Sequence, residues 1–290
     1  MKITLENKDY LEFLKSIPDE SIDFVCIDPP YGVLKGHKIE TIINIPLLTS
    51  EVKRVLKKNG FYAFFGMEPT IKEFEFQAYN YLNYKQEVIW CKRDAPVSMR
   101  INRVHEKIMI YVKGVSDFFE YKAPYEDIKL PDTLYGLYNI ESVFRELSYW
   151  RAKACGRKVV NGIDRNRNRK SNDEYYNFAS NMSESPTLGK SEGDVKFNTI
   201  WSFLPENKVN KNGNNHKHPT VKPLKLLERL IKLCTAENAT VLDCFSGTGT
   251  TAVACKNTNR NFVGCELFSE YYENSMQRLA NTQPPLFQTA

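Results

Sequence analysis

Apolar positions along the chain repeat with two periods, and the alternation between them predicts an α/β fold. Ile22-Asp23-Phe24-Val25-Cys26-Ile27 and Phe61-Tyr62-Ala63-Phe64-Phe65 are near-continuous apolar runs of strand length, as expected of parallel strands covered on both faces. Ile3-Thr4-Leu5, Lys85 to Trp90, Lys107 to Val112 and Asn261 to Cys265 read as further strands, and another opens at Val241. Helical spacing falls between them. Tyr10 to Ile17 forms one helix, closed by Pro18. Ile45 to Lys57 carries Leu47, Leu48, Val52, Val55 and Leu56 on one face and is stopped by Asn59-Gly60. Pro69 to Tyr79 makes a third helix, and Leu224, Leu227, Leu230 and Ile231 mark a fourth. A fifth begins near Thr250. Residues 114–196 show no clean period, and order returns over Lys196 to Phe203 with Trp201 as a packing anchor. No internal repeat is evident.

Composition narrows the class. A chain of 290 residues can bury one substantial core and carry a smaller appended region. No apolar stretch reaches the ~18 residues of a membrane span, and Met1-Lys2-Ile3-Thr4-Leu5-Glu6 does not read as a signal peptide. The seven cysteines stand singly at 26, 91, 155, 234, 244, 255 and 265. Without C-x-x-C pairs they argue against zinc or a disulfide framework and fit a reducing, cytoplasmic setting. His216 and His218 have no Cys or His at ligand spacing, so no metal site is expected.

Two segments carry chemistry. Asp28-Pro29-Pro30-Tyr31 closes the first apolar run, at the strand edge where open α/β sheets bind ligands. The proline rings stiffen the turn and offer no N–H, so it presents acceptors only. Such a turn suits a group that donates two hydrogens while it reacts, as an amine does. Val241 to Ala252 reads as strand, glycine turn and helix start. Gly247 and Gly249 permit a sharp turn and close approach to a ligand, beside the free N–H groups of the next helix. Glu266 ends the following strand, 19 positions after Gly247, where an acid can accept from a ribose diol. This loop alone fits NAD as well as any other adenosine-bearing cofactor.

Together the segments resemble the S-adenosylmethionine-dependent amino-methyltransferases of DNA. Asp28-Pro29-Pro30-Tyr31 looks like their catalytic tetrapeptide, Asp243-Cys244-Phe245-Ser246-Gly247-Thr248-Gly249 like their cofactor loop, and His218-Pro219-Thr220-Val221-Lys222-Pro223 like the segment before it. Catalytic turn first and cofactor loop last resembles the permuted order of the family's β class. The resemblance implies a Rossmann-like methyltransferase fold with a doubly wound, mostly parallel sheet. It implies halves at 1–113 and 197–290 around a target-recognition insertion at 114–196. Asp28, Pro29, Pro30 and Tyr31 become catalytic, with Tyr31 stacking on a base flipped from the duplex. Asp9, Asp243, Phe245, Gly247, Thr248, Gly249, Thr250 and Glu266 become cofactor residues, with Thr220 and Lys222 meeting the cofactor carboxylate. Lys8-Asp9 stands where family members usually carry Gly-Asp. His105, of a His-Glu pair similar to one in the family, is expected to be structural or a backbone anchor. The implied partners are double-stranded DNA, a second copy of the chain, and a restriction endonuclease acting separately. An initial Asp in the tetrapeptide favours adenine, with cytosine-N4 as the alternative.

Charge distribution adds the DNA reader. The net charge of +5 is modest, yet Arg145 to Lys170 holds nine basic residues against Glu146 and Asp164, between acidic flanks. The stretch is either a solvated loop or a phosphate-contacting surface. Arginines interleaved with asparagines suit base edges in the major groove, so Arg151, Arg157, Arg165, Arg167, Arg169 and Lys170 are expected at DNA. Two other classes compete. An NAD-dependent oxidoreductase leaves Asp28 to Tyr31 and the basic stretch without a role, and a silent DNA-binding module does not need both intact motifs.

Overall fold

The computed structural model of the chain describes residues 1–30, 43–92, 105–119, 159–160, 163–164, 200–203 and 221–282. The chain divides into two compact units, one of residues 1–120 and 198–290 and the other of residues 121–197. In the second unit, two short antiparallel strands, β6 (Val159–Val160) and β7 (Ile163–Asp164), pair with each other.

The first unit is built on an eight-stranded sheet. Its strands are β1 (Ile3–Asn7), β2 (Ile22–Ile27), β3 (Leu56–Gly66), β4 (Asn83–Cys91), β5 (His105–Val112), β8 (Ile200–Ser202), β9 (Thr240–Asp243) and β10 (Asn261–Glu266). They lie in the order β1-β10-β9-β2-β3-β5-β4-β8. Only β5 runs against its neighbours; every other pairing is parallel. Among the described residues the helices are α1 (Tyr10–Ser16), α2 (Ile45–Val55), α3 (Ile71–Tyr81), α4 (Leu224–Cys234), α5 (Thr250–Asn257) and α6 (Ser269–Asn281).

The apolar runs explain the layering. Successive strand residues point to opposite faces, so Phe24, Cys26, Phe61, Ala63, Phe65, Ile108 and Ile110 join one core with α4, α5 and α6. Val25, Ile27, Tyr62, Phe64, Met109 and Tyr111 join the other with α1, α2 and α3. Both faces are covered, which is the doubly wound arrangement expected from the sequence.

Two boundaries differ. The helix expected over Ile45 to Lys57 ends at Val55, and Leu56 already lies extended and pairs with Ile22. Lys57 to Gly60 then form an irregularity in which Asn59 adopts φ +65°. The Asn59 N–H donates to the Lys113 carbonyl, and the Lys113 N–H to that of Gly60. Pairing with the end of β5 thus captures residues that would otherwise cap a helix. The third helix begins at Ile71, two residues after Pro69, and runs on to Tyr81.

The order also fixes where ligands bind. From β9 the chain winds outward through α5 to β10, and from β2 it winds the other way through α2 to β3. β9 and β2 are adjacent, so the switch point of the sheet lies between their C-terminal ends.

Candidate active site

Both sequence motifs arrive at that switch point. β2 and β9 pair with Phe24 opposite Val241 and Val25 opposite Leu242. Asp28-Pro29-Pro30 leaves β2 on one side of the crevice, and Asp243-Cys244-Phe245 leaves β9 on the other. Pro29 is buried, while Asp28 is partly open, its side chain about 22% exposed. Tyr31 and Thr220 lie outside the described residues, as do Arg151, Arg157, Arg165, Arg167, Arg169 and Lys170.

The glycine loop has the conformation its residues predict. Gly247 and Gly249 adopt φ +52° and +72°, a region that disfavours any Cβ. Gly249 is the N-cap of α5. A Cβ there would lie 3.0 Å from the Ser275 Cβ, so α6 packs against the turn. The Ser275 hydroxyl lies 2.7 Å from the Gly247 carbonyl and 2.9 Å from that of Tyr271. Arg278 donates to the Thr250 hydroxyl oxygen at 2.8 Å and to that of Thr248 at 3.3 Å. The two threonine side chains therefore bind α6, and what the loop offers a ligand is backbone. Ser275 and Arg278 carried no signal in the sequence, because helical spacing alone does not show what a helix packs on.

Three acids surround the loop. Asp243 accepts from the Phe245 N–H at 3.0 Å and from the Thr251 hydroxyl at 2.6 Å. Burial pushes its carboxyl up to about 7 against those hydrogen bonds, and the nearby Asp28 and Glu266 add to the rise. Glu266 accepts from the Gly247 N–H at 2.8 Å and from the Phe268 N–H at 3.0 Å. Its pKa is also raised by burial, against the pull of those amides. Glu266 thus clasps the glycine turn as well as ending β10. Asp9 caps α1, accepting from the Leu11 N–H at 2.8 Å. Beside it the Tyr10 ring packs on Phe245 at 5.2 Å. Capping accounts for an Asp here whatever residue precedes it.

The other wall is ionic, and the sequence did not reveal it. Lys222, just before α4, is only 7% exposed, and its ammonium pairs with the Asp28 carboxylate. The Glu106 Oε2 lies 3.4 Å from the same Nζ. The Phe65 and Trp90 ring centroids lie 5.1 and 5.9 Å from it. Burial opposes the charge, yet the facing carboxylates of Asp28 and Glu106 hold the Lys222 pKa above that of an ordinary lysine. Glu106 is 4% exposed and is also paired by Lys92. It reaches this edge because β5 runs antiparallel, so that its first residues sit where the parallel strands end. His105, its neighbour, is exposed. Lys222, expected against a cofactor carboxylate, pairs with Asp28 of the turn after β2. Among the described residues no His, Cys, Asp and Glu group is arranged to hold a metal ion, and no helix is long and apolar enough to cross a membrane.

A glycine turn at a helix start, an acid ending the next strand and an acceptor-only proline turn, all at one switch point, define an α/β enzyme that sets a nucleoside-bearing cofactor beside a hydrogen-donating substrate. The N6/N4 methyltransferase family model, described as DNA methylase, matches residues 22–277, and the chain belongs to that family. The chain is 26% identical to the DNA adenine methyltransferase YhdJ of Escherichia coli K12 over 286 residues, 95% of this chain and 82% of that one. It is likewise 26% identical to the type II methyltransferase M1.MboII of Moraxella bovis, over 90% of each chain. Among solved structures it resembles M1.HpyAVI in complex with S-adenosylmethionine, with TM-score 0.57, 20% identity, and 96% and 98% of the two chains covered. It also resembles the cytosine-N4-specific PvuII methyltransferase, with TM-score 0.51, 16% identity, and 100% and 88% covered.

The family depends on S-adenosylmethionine, and the residues present fit it. The Ser246 hydroxyl is buried in the glycine loop without a hydrogen-bond partner among the described residues. The two positive-φ glycines leave the turn without Cβ atoms, and acids stand on both sides. When bound, the cofactor supplies an electrophilic methyl carbon on a sulfonium. Chain residues do the remainder: the protein moves that methyl to an exocyclic amine of a DNA base.

Proposed function

We propose that the protein methylates adenine at N6 within a specific duplex sequence, after the base has been flipped out of the helix. The observation that carries this is the Asp28 carboxylate, held at the end of β2 by a buried ammonium and followed by two prolines that offer no N–H. An exocyclic amine is a poor nucleophile because its lone pair is delocalised into the ring. Asp28 accepts one amine hydrogen and the Pro29 carbonyl the other, which localises the lone pair on nitrogen and aims it. The cofactor would supply the methyl carbon, Asp28 and the Pro29 carbonyl would hold the amine toward it, and the hydrogen given up by the methylated nitrogen would pass to solvent. Asp28 need not be a strong base, since that proton is acidic once the methyl is in place. The gain is mostly positional and electrostatic.

Gly247, Gly249, Asp243 and Ser246 would hold the methionine portion of the cofactor, Glu266 its ribose, and Asp9 and Phe245 the region of its adenine. Tyr31 would stack on the flipped base, and the basic residues between Arg151 and Lys170, within 114–196, would read the duplex. Adenine is favoured by the adenine-specific relative and by the Asp that opens the tetrapeptide. The type II relatives support a restriction-modification setting in which an endonuclease acts separately. Mass spectrometry of nucleosides from unmethylated DNA treated with the protein and S-adenosylmethionine tests the reading. N6-methyldeoxyadenosine is expected; N4-methyldeoxycytidine would move the reading to the cytosine branch.

A further inference from the structure

We infer that Lys222 is a positioning residue for methyl transfer, fixing the Asp28 carboxylate at one end of a chain of alternating charges that runs Asp28, Lys222, Glu106, Lys92 and whose two inner members are buried. The inference rests on the proposed role of Asp28 as acceptor for the substrate amine. Four elements meet in this chain: the turn after β2, the segment before α4, the first residues of β5 and the residue after β4. Asp28 and Lys222 are 194 positions apart in sequence. The Lys222 ammonium touches Asp28 on one side, faces Glu106 at 3.4 Å on the other, and lies near the Phe65 and Trp90 rings. Lys92 closes the chain on Glu106, with its Nζ 5.0 Å from the Trp90 ring centroid.

A buried ion pair is a weak stabiliser, because desolvation offsets most of the attraction. Fixing a direction is what such a pair does well. A carboxylate on a single χ1/χ2 pair can rotate, and one that must meet an amine hydrogen along one line loses rate when it does. Binding to Lys222 removes that rotation. The raised pKa of Lys222 keeps it a cation at neutral pH, so its hold on Asp28 does not lapse. Glu106 sets a second carboxylate against the buried cation and is itself paired by Lys92, so the four charges balance. Among the described residues, Asp243 and Cys26 also feel Asp28. Neither offers it a positive charge.

The test is a double-mutant cycle read by single-turnover methylation of unmethylated genomic DNA with tritiated S-adenosylmethionine, alongside calorimetric cofactor affinity. Lys222→Met should slow the single-turnover step by about 10²-fold, the scale of removing one orienting electrostatic interaction. Cofactor Kd should stay within about threefold, since the ammonium acts through Asp28. Lys222→Arg should recover part of the rate, and Glu106→Gln should cost less than Lys222→Met. In an Asp28→Asn background Lys222→Met should add less than about threefold, because the group it positions has already lost its charge. A cofactor Kd weakened more than tenfold, with the rate kept at saturating cofactor, would make Lys222 a cofactor ligand and overturn the inference. So would a full multiplicative loss in the Asp28→Asn background. If Lys222→Met does not fold, Glu106→Gln in the two Asp28 backgrounds reports the same coupling. Wild-type rate in Asp28→Asn itself would instead remove the acceptor role of Asp28, and the inference with it.

Discussion

Gly249→Ala isolates how rigidly the cofactor loop is built. The residue sits at φ +72°, and alanine there carries a left-handed penalty of roughly 1–2 kcal/mol. Its new Cβ would stand 3.0 Å from the Ser275 Cβ and 3.2 Å from the hydroxyl oxygen. Ser275 is fully buried and its hydroxyl is committed to the Gly247 and Tyr271 carbonyls, so it cannot swing aside. Overpacking of this kind costs about 1–3 kcal/mol, and the stiffer unfolded chain returns roughly 0.4–1 kcal/mol. The expected net loss is about 2–4 kcal/mol in urea unfolding, with cofactor affinity at least about tenfold weaker. Ser275→Gly separates the two costs. It removes the clash and leaves the backbone strain, so in the cycle with Gly249→Ala the double variant should be more stable than the sum of singles by about 1–2 kcal/mol. A Gly249→Ala protein within about 0.5 kcal/mol of wild type, with unchanged cofactor affinity, would mean that the turn relaxes freely and the strain argument is wrong.

Asp28→Ala should lower kcat by about 10²–10³-fold with cofactor affinity nearly intact; retention of more than about a tenth of the rate would refute the acceptor role assigned to it. Asp243 makes stability depend on pH. Its folded pKa of about 7 lies above the ordinary 3.8, so the unfolded chain ionises first and stability falls as pH rises between those values. The fall is at most about 4 kcal/mol from this group at ~1.36 kcal/mol per pH unit, and Glu266, also raised, acts in the same sense. Denaturant midpoints between pH 5 and 8 should therefore drop more steeply for wild type than for Asp243→Asn, and parallel curves would contradict this. Replacing Arg165, Arg167 and Arg169 together by Ala should weaken DNA binding without touching cofactor affinity. The salt slope should flatten by roughly one unit for each phosphate no longer neutralised. Unchanged DNA titrations across salt concentrations would make the stretch a solvated loop and send recognition elsewhere in 114–196.

What could be read in the sequence, and what could not, follows from chain separation. The strand runs, the glycine turn and the Asp28 turn are each contained within about a dozen residues, and their periods and turn residues carry the geometry locally. Asp9 was read only as a cofactor residue; its cap of α1, which an Asp directly before an apolar helical pattern can make, was not read from the sequence. The β3 boundary was less legible. Lys57-Lys58-Asn59-Gly60 has the residues of a helix stop, and only the hydrogen bonds to Gly60 and Lys113 at the end of β5 turn it into strand. The ionic wall was not legible at all. His105-Glu106 drew notice to the histidine, whose side chain is exposed, while the buried acid beside it faces the lysine. Nothing near position 106 specifies that its strand runs antiparallel, yet that reversal is what brings Glu106 to the active-site edge. Lys222 had a local motif, and the motif pointed to the cofactor. Its partner in the fold is set by sheet order: α4 follows the segment that meets the end of β2 and the start of β5, so a cation there faces Asp28 and Glu106. Motifs therefore report the groups that bind ligand through local backbone, whereas the charges that orient them depend on strand order and direction, which no short segment contains.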